Sequence, residues 1–266
     1  MAEDEEGAQP SGRPFWSGRI SIGLVNVPVK LYTMIRDQAF SFKLLHKQDG
    51  QPLRYDRVCI KDEKVVDWEN VVKGYEVRKN EYIVFDEAEL KAARPESNEK
   101  IRLDKFVHFL SVDPIYFERS YILAPDKSDE AYSLLLTAMQ KSGKAGVGRI
   151  TLRSKEYPAL VHEYKGALVI TTLRYAYEVV NPSGMKVLAN LKEPNKGELD
   201  LAVKIIGDLT GEFDITEYKD NFRKKIEELI KKKVKGETIT VEKPKEEEVK
   251  KLMVALQETV KQLEKK

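Results

Sequence analysis

A chain of 266 residues, 41% of them hydrophobic, has enough apolar side chain for a real core and room for one large domain with an appendage. Its 46 lysines and arginines nearly balance 44 acids, so the net charge of +2 by itself speaks neither for nor against nucleic acid. One cysteine, Cys59, excludes an intramolecular disulfide, and no apolar run is long enough to span a membrane.

In chain order, residues 1–13 read as a disordered acidic leader. Glu3, Asp4, Glu5 and Glu6 meet no base before Arg13, and without those four acids the rest of the chain carries +6. The start is unlike a signal peptide, and a reducing cytosol suits the lone thiol; the expectation is a soluble, cytoplasmic protein. Phe15 to Tyr32 alternates apolar and small or polar residues through Ile20, Ile22, Leu24, Val27 and Val29, the period-two pattern of a half-buried strand. Gly23 and Pro28 within it suggest a bend or bulge and a strand edge. Further strands are predicted at 39–45, 54–60, 82–85, 101–110, 120–123, 147–152, 157–164 and 167–173. Aromatic and β-branched residues dominate them, so an antiparallel barrel is favoured over a βαβ sheet.

One helix interrupts the strands at 129–142, with Ala131, Leu134, Leu135 and Ala138 on one face and Gly143 as its stop. After residue 197 the pattern turns helical. A helix is expected over 199–209, and a second opens at Thr216 and runs through Phe222, Ile226, Leu229 and Ile230. Residues 236–244 read as a linker, and 245–266 as an amphipathic helix. Val249, Leu252, Met253, Leu256, Val260 and Leu263 form its stripe. That stripe either docks on a partner or packs back on its own domain. The domain reading is a leader at 1–13, a barrel core with a bridge at 14–197, a helical arm at 198–236, and a linker with terminal helix at 237–266.

Catalytic patterns are hard to find. His46, His108 and His162 lie apart with no HExxH or HxE pairing, and there is no GxxxxGK[ST]. Gly143, Gly146 and Gly148 follow a helix instead of opening one, so they read as a helix-to-strand turn and not a phosphate loop. Cys59 lies in an apolar stretch with no activating histidine beside it. The expectation is a protein that is not an enzyme, with no cofactor and no metal.

Charge distribution is more telling. Lys30, Arg36, Lys43, Lys47, Arg54, Arg57 and Lys61 face only Asp37, Asp49 and Asp56, a local +4. Lys144, Arg149, Arg153, Lys155, Lys165 and Arg174 face only Glu156 and Glu163, again +4. Residues 62–100 between them hold eleven acids and seven bases. Arg149 and Arg153 are four apart on a predicted strand, which puts both on one face. Two basic segments around an acidic one describe a sided protein with a cationic surface suited to phosphate. Ordinary solvated strand charge is the alternative.

Four stretches carry a resemblance: Trp16 to Tyr32, Arg54-Tyr-Asp-Arg-Val-Cys59, Lys73-Gly-Tyr-Glu76 and Asp113-Pro-Ile-Tyr-Phe-Glu-Arg-Ser-Tyr121. In order and spacing they resemble the prokaryotic Ku family over about residues 14–236. Val249-Lys-Lys-Leu-Met-Val-Ala-Leu256 is similar to that family's short C-terminal segment. Where some bacterial members place a second cysteine, this chain has Asp62, which argues against a metal or disulfide there.

The resemblance implies a β-barrel with an inserted arm and a helical C-terminal arm. It also implies a ring-shaped homodimer that threads onto double-stranded DNA ends during non-homologous end joining, in the cytoplasm at the nucleoid. The implied partners are DNA ends and an ATP-dependent end-joining DNA ligase with its associated polymerase, and no membrane. Candidate DNA contacts are Arg19, Lys30, Arg36, Arg54, Arg57, Arg149, Arg153 and Lys155. Candidate partner contacts are Val249, Leu252, Met253, Leu256 and Val260. A barrel-shaped protein-interaction module without DNA binding, and a nuclease or lyase assembled from distant residues, are the rival readings.

Overall fold

The computed structural model describes residues 12–36, 38–93, 99–236 and 252–263. It divides into two compact units, Met1–Val180 and Asn181–Lys266. The first opens with strands β1 (Trp16–Ile22) and β2 (Val25–Thr33). The alternation expected of one strand is thus a hairpin, and Gly23, at φ 57°, turns the chain where a bend or bulge was expected. Pro28 follows the strand-edge logic. It pairs with Arg19 of β1, and pairing on the other side of β2 begins only at Val29.

An arm of some sixty residues then leaves the barrel. It holds isolated bridges at Leu45–Pro52 and Val58–Val65, the hairpin β3 (Lys73–Arg78) and β4 (Glu81–Phe85), and helix α1 (Glu87–Ala92). Asp86 and Glu89 cap α1 reciprocally, each side chain accepting from the other's backbone N–H. The strands predicted at 39–45 and 54–60 are absent. Apart from the bridges at Leu45 and Val58, those apolar runs have no ladder partner among the described residues.

The chain returns as β5 (Lys100–His108), β6 (Phe117–Pro125), helix α2 (Asp129–Ser142), β7 (Lys144–Leu152), β8 (Lys155–Tyr164) and β9 (Ala167–Leu173). The strands close a seven-stranded barrel in the order β1-β2-β6-β9-β8-β7-β5. All its pairings are antiparallel except β1 with β5, and the long arm supplies the crossover that a parallel pair requires. Alternate residues fill the interior: Ile20, Val27, Val29, Leu31, Ile101, Leu123, Ile150, Val161, Leu168 and Ile170 are fully or almost fully buried. Fully burying each Ile, Leu or Val is worth about 1.5–3 kcal/mol.

Helix α2 plugs one end of the barrel with Ala131, Tyr132, Leu135, Leu136 and Met139, and Gly143 stops it in the left-handed region. The stop is as expected, but the face is rotated: Leu134 and Ala138 are exposed, while Leu136 and Met139 take the core positions. Gly146 and Gly148 lie inside β7 and not in a helix-to-strand turn, so the strand expected at 147–152 begins earlier, at Lys144. A Cβ on Gly148 would come within 1.7 Å of the Arg102 carbonyl oxygen, so β7 closes on β5 where no side chain fits.

The second unit contains α3 (Lys186–Ala189), α4 (Lys196–Asp208), α5 (Asn221–Val234) and α6 (Leu252–Leu263). Asp220 caps α5 by accepting from the Arg223 N–H at 2.8 Å. The start expected at Thr216 is a separate 3₁₀ turn over Ile215–Glu217. Helix α6 packs against α4 and buries Val260. No helix among the described residues is long and apolar enough to cross a membrane.

Candidate nucleic-acid interface

Side-chain alternation turns cations outward. With Ile20, Ile101 and Ile150 buried inside the barrel, Arg19 of β1, Lys100 and Arg102 of β5, and Arg149 of β7 face solvent. The register then brings them together: Arg19 lies opposite Lys100, and Arg102 lies opposite Arg149. Four cations therefore occupy neighbouring outward positions on three adjacent strands. Like charges directly opposite each other destabilise a sheet. The repulsion is partly relieved by Asp104, which holds the Arg102 Nε at 2.9 Å from the β5 bulge, and by Glu156, 3.7 Å from Arg149.

Lys30 joins this side from β2, opposite Ser17. Its ammonium donates to Asp126 at 2.7 Å, and that hydrogen bond raises its pKa, so it stays charged across the physiological range. Sequence reasoning passed over Lys100 and Arg102. Arg102 could be placed outward from its flanking Ile101 and Leu103, but its position opposite Arg149 depends on a pairing that only the fold reveals.

Arg153 requires correction. It is not on the strand face of Arg149 but in the two-residue β7–β8 turn, at φ 60°. Arg149 is the outward strand residue and Arg153 stands at the barrel's rim. Lys155 begins β8, with its ammonium 3.4 Å from Glu178 and 4.8 Å from the Tyr157 ring centre. Partial burial works against its charge, but the hydrogen bond to Glu178 and the neighbouring anions leave its pKa raised.

The remaining candidates follow β2 or belong to the arm. Arg36 follows β2 and is exposed. Arg54 pairs with Asp56 at 3.1 Å, and Arg57 stacks on Trp68 at 4.3 Å, both within the arm. Of the proposed partner contacts, Leu252 is exposed, Met253 and Leu256 are half-buried, and Val260 is buried in the packing of α6 on α4. Val249 lies outside the described residues.

The histidines form no common centre. His46 pairs with Asp49 at 3.0 Å, and His108 meets the Lys144 ammonium at 2.6 Å. His162 sits against Phe109 beside the Thr171 hydroxyl, and burial lowers its pKa. Cys59 is half-buried in the arm. No group of three histidines, cysteines or acids that could hold a metal occurs among the described residues.

A closed barrel with a plugged interior, an inserted arm and an outward row of cations belongs to a class of scaffold that presents charge on its outer strand face. The family model described as the Ku70/Ku80 beta-barrel domain matches residues 21–201. The chain is 35% identical over 250 residues to the "Non-homologous end joining protein Ku" of Bacillus subtilis, spanning 92% of this chain and 80% of the relative. It is 36% identical to the protein of that name from Archaeoglobus fulgidus, over 92% of this chain and 96% of the relative. The Anaeromyxobacter protein is 38% identical over 85% and 77% of the two chains. The chain belongs to the Ku family.

Proposed function

We propose that this protein binds double-stranded DNA ends without regard to sequence, as a homodimeric ring that threads onto the end during non-homologous end joining. The row Arg19, Lys100, Arg102 and Arg149 carries the reading. Clustered like charge costs folding stability and is retained where an anion offsets it. A protein that accepts any broken end contacts phosphate and sugar, which hold no sequence information. Guanidinium and ammonium groups on a rigid strand face suit that task. The names of the relatives, each an end-joining protein, support the same role, and a holding role needs no catalytic centre.

The arm supports dimerisation. Between residues 51 and 90 every residue is exposed except Cys59, Val66 and Leu90, which are half-buried. Ile60, Trp68, Val72, Tyr75, Tyr82 and Val84 are each more than half exposed. A two-stranded hairpin without a core is marginal alone, and exposed apolar surface on this scale suits an obligate interface with a second copy. Helix α6 is the proposed recruiting element for the end-joining ligase and its polymerase. Leu252 and the half-buried Met253 and Leu256 are accessible, and Val260 joins them if α6 leaves α4.

The test is a gel shift with linear and covalently closed duplexes of one sequence. A threading ring binds the linear form and leaves the closed form largely free. Equal affinity for both would show a surface binder that needs no end.

A further inference from the structure

A barrel has two ends, and α2 plugs only one of them. The other end, where β1 begins and the β7–β8 hairpin turns, opens into a cavity of about 550 Å³. That volume lies within the range of small-molecule sites, roughly 300–1,000 Å³. Phe15, Trp16, Tyr121 and Tyr157 line it; the Phe15 and Tyr121 rings pair at 5.1 Å, and the Lys155 ammonium lies over the Tyr157 ring. Arg119 and Arg153 line it with charge.

Neither guanidinium has a carboxylate within 4 Å among the described residues, whereas Lys30, Arg102, Arg149 and Lys155 each have one. Arg153 holds a positive φ that glycine or asparagine would adopt more easily in a two-residue hairpin turn. Glu118 also lines the cavity and accepts from the Thr172 hydroxyl at 3.3 Å through one oxygen, leaving the other for a second donor.

Aromatic rings, two guanidiniums without a carboxylate partner among the described residues and one carboxylate acceptor match the three parts of a nucleotide. A base stacks on rings, a phosphate pairs with guanidinium, and an exocyclic amine donates to a carboxylate. We propose that the open mouth of the barrel is a binding site for one nucleotide. Resting on the end-binding reading above, its occupant is the unpaired terminal nucleotide of an overhang. Arg153 caps the β7 strand that carries Arg149, so the cavity opens beside the face assigned to the duplex.

Two arms on the full-length protein test this. The first titrates dAMP and follows tryptophan fluorescence, since Trp16 lines the cavity. The second compares a blunt duplex with duplexes carrying one unpaired nucleotide at either strand end. The overhang should bind about fivefold or more tighter, the lower end of what stacking one base contributes. Arg119→Gln and Phe15→Leu, both at exposed positions, should each remove that preference and leave blunt-end affinity within about twofold. A fluorescence response to dAMP that both variants lose, with no overhang preference, would support the nucleotide site and assign it to a free nucleotide. Blunt-end binding with neither response nor preference overturns the cavity proposal alone. Loss of all end binding in the unmodified protein, with the dAMP response intact, overturns the end-binding reading instead.

Discussion

Arg102 and Arg149 face each other across the β5–β7 ladder, so each is held at a fixed height above a rigid strand pair. Replacing either with Glu should weaken binding to duplexes of unrelated sequence by similar factors. Each lost phosphate contact should reduce the slope of log affinity against log salt by about 0.9. A loss confined to one sequence would mean base readout, and an unchanged slope would return both residues to ordinary surface charge. His162 makes a different kind of test. Burial lowers its pKa below the unfolded value of about 6.5, so the folded state resists the proton that the unfolded chain accepts. Stability from this residue is therefore complete above pH 6.5 and falls as the pH drops towards and through the depressed native value. Denaturant midpoints at pH 7.5 and pH 5 should differ more for the natural protein than for His162→Gln. An equal difference would mean that His162 does not set the acid response.

At the scale of elements, α2 is fastened through one hydroxyl. The Tyr132 hydroxyl donates to the Leu123 carbonyl at 2.6 Å and accepts from the Leu168 N–H at 2.9 Å, joining the helix to β6 and β9. Tyr132→Phe strips both groups of a partner and should cost about 1–3 kcal/mol. Calorimetry should show the corresponding fall in Tm, and no fall would mean that water replaces the hydroxyl. The element pattern also explains what was legible from sequence. Strands β7, β8 and β9 are rich in apolar and β-branched residues and helix α2 has a 3.6-residue stripe closed by Gly143, and sequence placed them within a few residues. The runs 39–45 and 54–60 have strand composition, but composition alone cannot supply a partner strand, and these lie in an arm with no core of its own. The cationic face was half visible. Arg149 followed from strand alternation and Arg19 from its place beside the alternating run, whereas their closeness through Lys100 and Arg102 required the parallel β1–β5 pairing across a long insertion. Arg153 was misplaced because a two-residue turn was not recognised at an arginine, which seldom adopts positive φ.

For the whole molecule, the exposed apolar surface of the arm and the cationic face of the barrel make a joint demand: one needs cover and the other needs an anion. On the proposed reading a second copy meets the first demand, and light scattering at micromolar concentration should then give about twice the 30.5 kDa chain mass. A monomer that still binds ends would remove the ring. Threading itself is open to a topological test. The protein is loaded on a linear duplex, the ends are ligated into a closed circle, and the complex is washed in high salt, which releases contacts made only to phosphate. A threaded ring stays on the circle through that wash and leaves once the circle is cut. Release from the intact circle, as fast as from linear DNA, would contradict threading.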